Sequence, residues 1–153
     1  MGFAGRMGTI RKKILFLCTG NSCRSQMAEG FAKALKGNKY AFYSAGLEAH
    51  GLNPQAVKVM KEIGIDISNN RSKTLDEHSE EQFDFVFTVC DHAHEICPGF
   101  PGKRKVIHVG FDDPPKLAKG ASSNQEALSH YRRVRDEIKK FILSIEDRLD
   151  GKQ

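Results

Sequence analysis

Short, nearly continuous apolar runs recur along the chain and are separated by longer stretches with a different pattern. Such runs are typical of strands that are covered on both faces of a parallel sheet. The chain therefore predicts four strands, in the segments KKILFLC (12–18), YAFYSAG (40–46), FDFVFTVC (83–90) and KRKVIHVG (103–110).

Between and after these runs, apolar residues recur at intervals of three or four, which is the spacing of one face of a helix. MAEGFAKAL (27–35) predicts one helix, and NPQAVKVMKEIG (53–64) predicts another that stops at Gly64. A last long helix is predicted from about Ser123 to Leu149. Its apolar positions are Leu128, Tyr131, Val134, Ile138, Phe141, Ile142 and Ile145.

The alternation of strands and helices predicts an α/β fold, a single-domain open four-stranded parallel sheet with helices on both faces. We expect this domain to span residues 12–150, after a flexible N-terminal extension of residues 1–11. Binding sites in such sheets lie at the carboxyl ends of the strands. Because Cys18 and Cys90 each end a predicted strand, we expect both thiols at that edge.

Composition and charge narrow the functional classes. The 153 residues carry a formal net charge of +5, but no basic block interleaved with aromatic residues occurs, so nucleic acid is not an expected partner. No apolar run approaches the roughly 20 residues of a membrane helix, and no secretory signal is recognised. We therefore expect a cytoplasmic monomer with no membrane contact and a preference for anionic ligands.

The four cysteines are Cys18, Cys23, Cys90 and Cys97. Without a secretory signal, a structural disulfide framework is not expected, and catalysis or metal binding is the more typical use of such residues. The spacings C-x4-C and C-x6-C differ from the C-x2-C pairs that zinc sites favour. We therefore predict no metal site.

The segment CTGNSCRS (18–25) joins the first predicted strand to a helix. Gly20 can supply a backbone geometry that other residues resist, and Asn21 tolerates a left-handed one. Successive N–H groups can then form an anion cradle at the helix N-terminus, and Arg24 adds a charged fork suited to an oxyanion. The predicted oxyanion-binding residues are Thr19, Gly20, Asn21, Ser22, Cys23 and Arg24.

The same loop contains a candidate nucleophile. The positive field of helix and arginine favours the thiolate form of Cys18 near neutral pH, and Ser25 can donate a hydrogen bond to that thiolate. The spacing C-x5-R is common by itself, and the alternative is a buried strand-end cysteine and a surface arginine spaced by chance. The preceding apolar strand and the Gly-Asn and Ser of the loop favour the functional interpretation.

CTGNSCRSQMAEG resembles the active-site loop of the low-molecular-weight protein tyrosine phosphatase superfamily. It resembles more closely the loop of the thioredoxin-coupled arsenate reductases on that fold. The resemblance covers about residues 12–142 and continues through YSAGLEAHGLNP, DISNNRSK, FTVCDHAHEICP, GFDDP and YRRVRDEIK.

This resemblance implies reduction of arsenate to arsenite, with Cys18, Arg24, Ser25, Cys90 and Cys97 as catalytic residues. Cys18 attacks arsenate, Cys90 attacks Cys18 as arsenite departs, and Cys97 then attacks Cys90. Thioredoxin would reduce the resulting Cys90–Cys97 disulfide as an external reductant, with no cofactor bound. From the residues alone, Cys90 and Cys97 fit two buried apolar cysteines equally well.

The relay also makes a demand on the segment between the two later cysteines. Six rigid helical residues would keep Cys90 and Cys97 too far apart, because a disulfide needs Cα atoms within about 7 Å. We therefore predict that the segment 91–97 can unwind or move.

The resemblance further implies that Asp113, in GFDDP, donates a proton to the leaving oxygen. A turn is the alternative, because aspartate before proline commonly starts one. The alternative function is a low-molecular-weight phosphatase that hydrolyses phosphomonoesters through Cys18, Arg24 and Asp113. Pro115 and Lys116 stand where those phosphatases have aromatic residues, which favours the reductase. A non-catalytic oxyanion-binding module is a third hypothesis, against which the intact loop argues.

Some of these reductases hold a potassium ion beside the loop, at positions that match Asn21, Glu29 and Ser44, together with an aspartate. Lys73 matches that aspartate here. The resemblance therefore implies that a lysine ammonium replaces the ion and pairs with Glu29, and we predict no potassium site. The alternative is a solvated surface lysine.

Overall fold

The computed structural model describes residues 11–90 and 105–149, and a parallel sheet forms its centre. All three pairs of neighbouring strands are parallel, and the first strand of the chain pairs with two others. The four-stranded open parallel sheet predicted from the sequence is confirmed. In the spatial order β2-β1-β3-β4, the strands are β1 (Lys12–Cys18), β2 (Tyr40–Gly46), β3 (Phe85–Thr88) and β4 (Lys105–His108).

The core is built around β1, because this strand is covered on both faces. Residues 14–17 are all fully buried, although successive side chains of a strand point to opposite faces. On one face, Phe16 stacks on Phe42 and Phe87, with ring centroids 5.8 and 5.9 Å apart. Phe141 packs edge-on against Phe16 from the long C-terminal helix. This double coverage explains why the strand is apolar throughout.

The described helices include those predicted from the sequence. One short helix and one 3₁₀ turn are additional, and the last predicted helix is divided in two. The helices are α1 (Arg24–Lys36), α2 (Pro54–Lys61), α3 (Pro114–Ala118), α4 (Asn124–Leu143) and α5 (Ile145–Leu149), with a 3₁₀ turn at Leu75–His78. Asn53 caps α2, because its side-chain oxygen accepts hydrogen bonds from the backbone N–H groups of Gln55 and Ala56. Gly64 follows with a φ of +84°, a conformation that favours glycine.

The prediction of one continuous helix from Ser123 to Leu149 is wrong at Ser144. This residue leaves the helical conformation, with φ −114° and ψ 25°, and separates α4 from α5. Its hydroxyl donates to the carbonyl of Lys140 at 3.3 Å, and such a bond from serine competes with the helical backbone pattern. The apolar spacing survives the break, because Ile145 at the start of α5 is fully buried.

The end of β3 also differs from the sequence prediction, and a short helix forms where none was predicted. Strand β3 ends at Thr88, so Cys90 lies two residues beyond the strand rather than at its last position. Asp113 directly precedes α3, whose first residue is Pro114; proline suits this position because its missing N–H has no helical partner there. No helix within residues 11–90 and 105–149 is long and apolar enough to cross a membrane.

Candidate active site at the carboxyl edge of the sheet

The predicted oxyanion loop connects the end of β1 to the start of α1, at the carboxyl edge of the sheet. Cys18 is buried there, with 3% of its surface exposed. Asn21 adopts the left-handed conformation, with a φ of 47°. Gly20 does not, so the prediction that this glycine supplies special backbone geometry is wrong. Gly20 provides space instead, because a Cβ atom at this position would lie 2.3 Å from Nδ1 of His50.

The backbone of the segment after β2 holds the loop from outside. Its N–H groups donate to successive loop carbonyls, Leu47 to Cys18 at 3.1 Å and Glu48 to Thr19 at 2.9 Å. Two more such bonds, each 3.0 Å long, run from His50 to Gly20 and from Asn53 to Ser22. A planar peptide whose carbonyl points to one side presents its N–H to the other. The segment therefore favours loop N–H groups that face the anion position. We call residues 47–53 the brace.

Side chains support the loop from within. Ser25 Oγ lies 2.9 Å from Cys18 Sγ, as the sequence predicts, and accepts a hydrogen bond from Asn21 Nδ2 at 2.8 Å. Because Asn21 already donates to this oxygen, the hydroxyl hydrogen of Ser25 is free to point at the sulfur. The same Asn21 nitrogen donates to Ser44 Oγ at 3.0 Å, and Ser44 donates in turn to Glu29. The nucleophile and its hydrogen-bond donor are thus held by a buried polar network.

Lys73 lies inside this network rather than in solvent. Its Nζ is 3.4 Å from Asn21 Oδ1, 3.3 Å from Ser44 Oγ and 3.9 Å from Glu29 Oε1. Burial lowers the pKa of Lys73, and the Glu29 carboxylate opposes that effect. The ammonium therefore lies beside Asn21, Glu29 and Ser44, the three side chains that match the potassium site of some related reductases. The absence of a potassium ion stays a prediction.

A cavity of about 450 Å³ opens at the loop. Arg24 reaches its wall, where Nη1 donates to the carbonyl of Phe111 at 3.0 Å and Nη2 lies 3.7 Å from Asp113 Oδ2. The predicted acid and the predicted oxyanion-binding arginine are thus brought together. The lining residues are Cys18, Thr19, Gly20, Ser22, Cys23, Arg24, His50, Asn53, Asp113 and Pro115.

A second cavity of about 420 Å³ adjoins the first and shares Thr19, Arg24 and Asp113 with it. Cys90 lines this second cavity, together with Lys116. Its Sγ lies 3.2 Å from the hydroxyl of Thr19, the residue next to the nucleophile. Both predicted thiols of the first two steps therefore contact the same loop.

The remaining two cysteines differ from these. Cys23 lines the first cavity but is 4% exposed, and burial raises the pKa of its thiol well above the ordinary range. Such a thiol is a poor nucleophile at neutral pH. Cys97, the predicted third member of the relay, lies outside the described residues, as does the whole segment 91–97 that is predicted to move.

Sequence reasoning missed several residues of the site. His50 and Asn53 line the first cavity, and Phe111 supplies a carbonyl to Arg24. All three are outside the loop motif. The position of the brace could be predicted from the sequence, because a segment that follows a parallel strand starts at the same edge of the sheet as the loop. The contacts of its side chains depend on how the two segments pack.

Comparison with known proteins agrees with this geometry. The family model described as low molecular weight phosphotyrosine protein phosphatase matches residues 13–152. An arsenate reductase of Halalkalibacterium halodurans is 54% identical over 132 residues, which cover 86% of this chain and 93% of the relative. These matches confirm the resemblance drawn from the sequence.

Solved structures give the same relationship. A structure described as an arsenate reductase in the phosphate binding state has a TM-score of 0.70 and 33% identity, covering 88% of this chain and 95% of its own. One described as an arsenate reductase in the oxidized state also has a TM-score of 0.70, with 34% identity and coverage of 86% and 93%. The chain belongs to the low molecular weight phosphotyrosine protein phosphatase family.

Proposed function

We propose that the protein reduces arsenate to arsenite with two thiols held by one loop. The carrying observation is the contact of Cys90 Sγ with the Thr19 hydroxyl at 3.2 Å, next to Cys18 in its oxyanion loop. Phosphomonoester hydrolysis needs one thiol nucleophile, whereas two adjacent thiols can supply the two electrons that convert arsenic(V) to arsenic(III). The names of the related proteins support the same function.

In the first step, the Cys18 thiolate attacks the arsenic atom of arsenate bound in the cavity. An S–As bond forms, the bond from arsenic to one hydroxyl oxygen breaks, and that hydroxyl group leaves as water after accepting a proton. Arg24 and the loop N–H groups hold the remaining oxygens. Asp113 lines the same cavity and supplies the proton, while Ser25 stabilises the thiolate before the attack.

In the second step, Cys90 attacks the sulfur of Cys18. An S–S bond forms, the S–As bond breaks, and its electron pair stays on arsenic, which leaves as arsenite. The proton of Cys90 passes to solvent. The two thiols together lose two electrons, so the step is balanced without a bound cofactor.

In the third step, Cys97 attacks Cys90, which frees Cys18 and leaves a Cys90–Cys97 disulfide. We propose thioredoxin as the external dithiol that reduces this bond, because the Cys90–Cys97 disulfide is a suitable substrate for dithiol exchange. Such chemistry belongs to a reducing compartment, so the proposal includes a cytoplasmic location.

Arsenate-dependent oxidation of NADPH, coupled through thioredoxin and its reductase, tests this function. We expect steady turnover by the wild type and none by Cys18→Ser or Cys90→Ser. Cys97→Ser should stop after the first cycle. Cys23→Ser is the matched control, because burial keeps this thiol protonated and serine retains the backbone N–H of the loop, so the variant should keep most of the activity. Equal turnover by Cys90→Ser would exclude the two-thiol mechanism.

Phosphomonoester hydrolysis is the second candidate, and the position of Asp113 in the cavity favours it. A phosphatase reaction would use Cys18, Arg24 and Asp113 and would leave Cys90 without a role. Hydrolysis of p-nitrophenyl phosphate that survives Cys90→Ser, in a protein without arsenate turnover, would establish the phosphatase in place of the reductase.

A further inference from the structure

One carbonyl group of the oxyanion loop is held by a side chain rather than by the brace. Within the described range 11–90, the brace donates to every carbonyl of residues 18–22 except that of Asn21. The donor to this last carbonyl is the side-chain amide of Gln26 on α1, whose Nε2 lies 3.2 Å from the Asn21 carbonyl oxygen. Gln26 therefore completes the set of loop peptides that are held from outside.

The amide of Gln26 is fixed in one orientation. Besides the Asn21 carbonyl, its Nε2 contacts Asn21 Oδ1 at 3.0 Å and the carbonyl oxygen of Arg71 at 3.1 Å. Its Oε1 accepts a hydrogen bond from Asn70 Nδ2 at 3.1 Å. Three acceptors thus surround the nitrogen, and a donor faces the oxygen. Because the side chain is fully buried, bulk water does not compete for these bonds.

Asn21 needs this support because its backbone conformation is unfavourable. Its φ of 47° is left-handed, which a residue with a Cβ atom adopts at a cost in free energy. The peptide between Asn21 and Ser22 has its carbonyl and its N–H on opposite sides, because a peptide group is planar. The bond from Gln26 to the carbonyl therefore turns the N–H of Ser22 the other way, and Ser22 is part of the cavity wall.

We propose that Gln26 is a positioning residue of the oxyanion site, which acts by turning the Ser22 N–H toward the bound anion. Gln26 itself is fully buried and does not line the cavity, so it does not contact the anion. Loss of its donor would let the peptide between Asn21 and Ser22 rotate and would withdraw one N–H group from the anion. The inference rests on the proposed role of this cavity as the oxyanion site, but not on the reduction that follows.

Amide NMR spectra of the ¹⁵N-labelled protein, recorded at increasing sulfate, test this role without any turnover. Sulfate is a tetrahedral dianion at neutral pH, and an N–H group that donates to it changes its chemical shift. In the wild type, we expect sulfate to shift the amide resonances of both Ser22 and Gly20. The peptide that contains the Gly20 N–H is held by the brace, through the bond from Glu48 to the carbonyl of Thr19. The Gly20 resonance is therefore an internal reference for the part of the loop that does not depend on Gln26.

Gln26→Met keeps the length of the side chain and removes both of its N–H groups. We expect this variant to bind sulfate about tenfold more weakly than the wild type, because one hydrogen bond to a charged group is lost. At saturating sulfate, the Gly20 resonance should still shift, whereas the shift of Ser22 should be largely lost. A general loss of stability would not separate these two resonances.

Arg135→Met is the matched control, because it also removes a buried polar side chain. The hydrogen bonds of Arg135 to the carbonyl of Val59 and to Glu62 lie on α2 and next to it, away from the oxyanion loop. Both variants should have a lower melting temperature than the wild type. Only Gln26→Met should lose sulfate affinity, and Arg135→Met should retain both sulfate-induced shifts.

Equal sulfate affinity of wild type and Gln26→Met would overturn the proposal, as would an unchanged Ser22 shift in the variant. Loss of the Gly20 and Ser22 shifts together would also contradict it, because the effect would then not be confined to one peptide.

Should Gln26→Met fail to fold in a thermal melt, the wild type decides. A Ser22 resonance that sulfate shifts together with that of Gly20 would support the proposal, and a shift of Gly20 alone would overturn it. Sulfate binding by a protein without arsenate turnover would contradict the proposed reduction and leave the role of Gln26 intact.

Discussion

At the residue scale, two cysteines of the same loop have opposite surroundings. Cys18 is in contact with the Ser25 hydroxyl, and the hydroxyl oxygen is itself held by Asn21. Cys23, five residues later, is buried without a comparable contact in the described part of the chain, and its thiol pKa is raised. The difference favours Cys18 over Cys23 as the nucleophile of the proposed reaction.

Replacing Ser25 with alanine removes the hydroxyl next to the Cys18 sulfur and should slow turnover. A hydrogen bond to a charged group is worth about 1.5–3 kcal/mol, so kcat/KM should fall by about 10- to 100-fold. Steady-state kinetics with arsenate give this value. Ser129→Ala, whose hydroxyl bonds a carbonyl on the surface of α4, is the control and should remain active. A Ser25→Ala enzyme with full kcat/KM would remove this residue from the mechanism.

Alkylation should distinguish the two loop cysteines by pH. Because burial disfavours the Cys23 thiolate, this residue should stay protonated and unreactive with iodoacetamide at neutral pH. The rate of Cys23 modification should rise only at pH values well above the pKa of an ordinary thiol, and Cys18 should react before it. Peptide mapping after timed alkylation provides both rates. Modification of Cys23 as fast as that of Cys18 at pH 7 would be the contrary result.

The sequence predicted candidate reactive residues in the loop but not the reason for each residue type. Cys18, Ser25 and Arg24 have contacts that fit their expected roles. Asn21 carries the left-handed conformation, whereas Gly20 provides room for the ring of His50. A sequence motif does not tell whether a glycine is needed for its backbone conformation or for the space that it leaves. The side chain that fills this space comes from a different segment of the chain.

At the scale of elements, the loop is held between the brace and the Lys73 network. The brace supplies backbone N–H groups to its carbonyls, and Lys73 contacts Asn21 and Ser44 beneath it. Two separate elements therefore fix the loop before any anion arrives. Preorganisation of this kind reduces the cost of ordering the site on binding.

Lys73→Ala should leave the Glu29 carboxylate without one of its cations and create space beside Asn21 and Ser44. A small monovalent cation could then take the place of the ammonium. We expect potassium chloride to raise the melting temperature of Lys73→Ala more than choline chloride does at equal ionic strength. The wild type should not distinguish the two salts. If the melting temperature of Lys73→Ala were the same in both salts, the ammonium of Lys73 would not be a substitute for a bound cation.

Element types were predictable from apolar spacing, whereas several boundaries were not. The run Tyr40–Gly46 is a strand over the full predicted length. The break at Ser144 depends on a side-chain hydrogen bond to Lys140, and the apolar pattern continues across it. Helix α3 has five residues, too few for a helical period to be recognised.

At the scale of the whole molecule, the parallel sheet places the residues of both chemical steps at one edge. Cys18 is the last residue of β1, and Cys90 lies two residues beyond the end of the neighbouring strand β3. The first cavity contains the oxyanion loop, and the adjoining cavity contains the second thiol. The proximity was predictable from sheet topology. The contact between Thr19 and Cys90 was not predictable, because it depends on how side chains pack between the segment after β1 and the segment after β3.

The central claim is that Cys18 and Cys90 together supply the two electrons, and a single-turnover experiment tests it most directly. Fully reduced protein is mixed with arsenate in the absence of any external reductant, and the arsenite formed per protein molecule is counted. The account predicts about one arsenite for wild type and for Cys97→Ser, and none for Cys90→Ser, because each arsenate takes two electrons from two thiols. Equal arsenite formation by Cys90→Ser would contradict it.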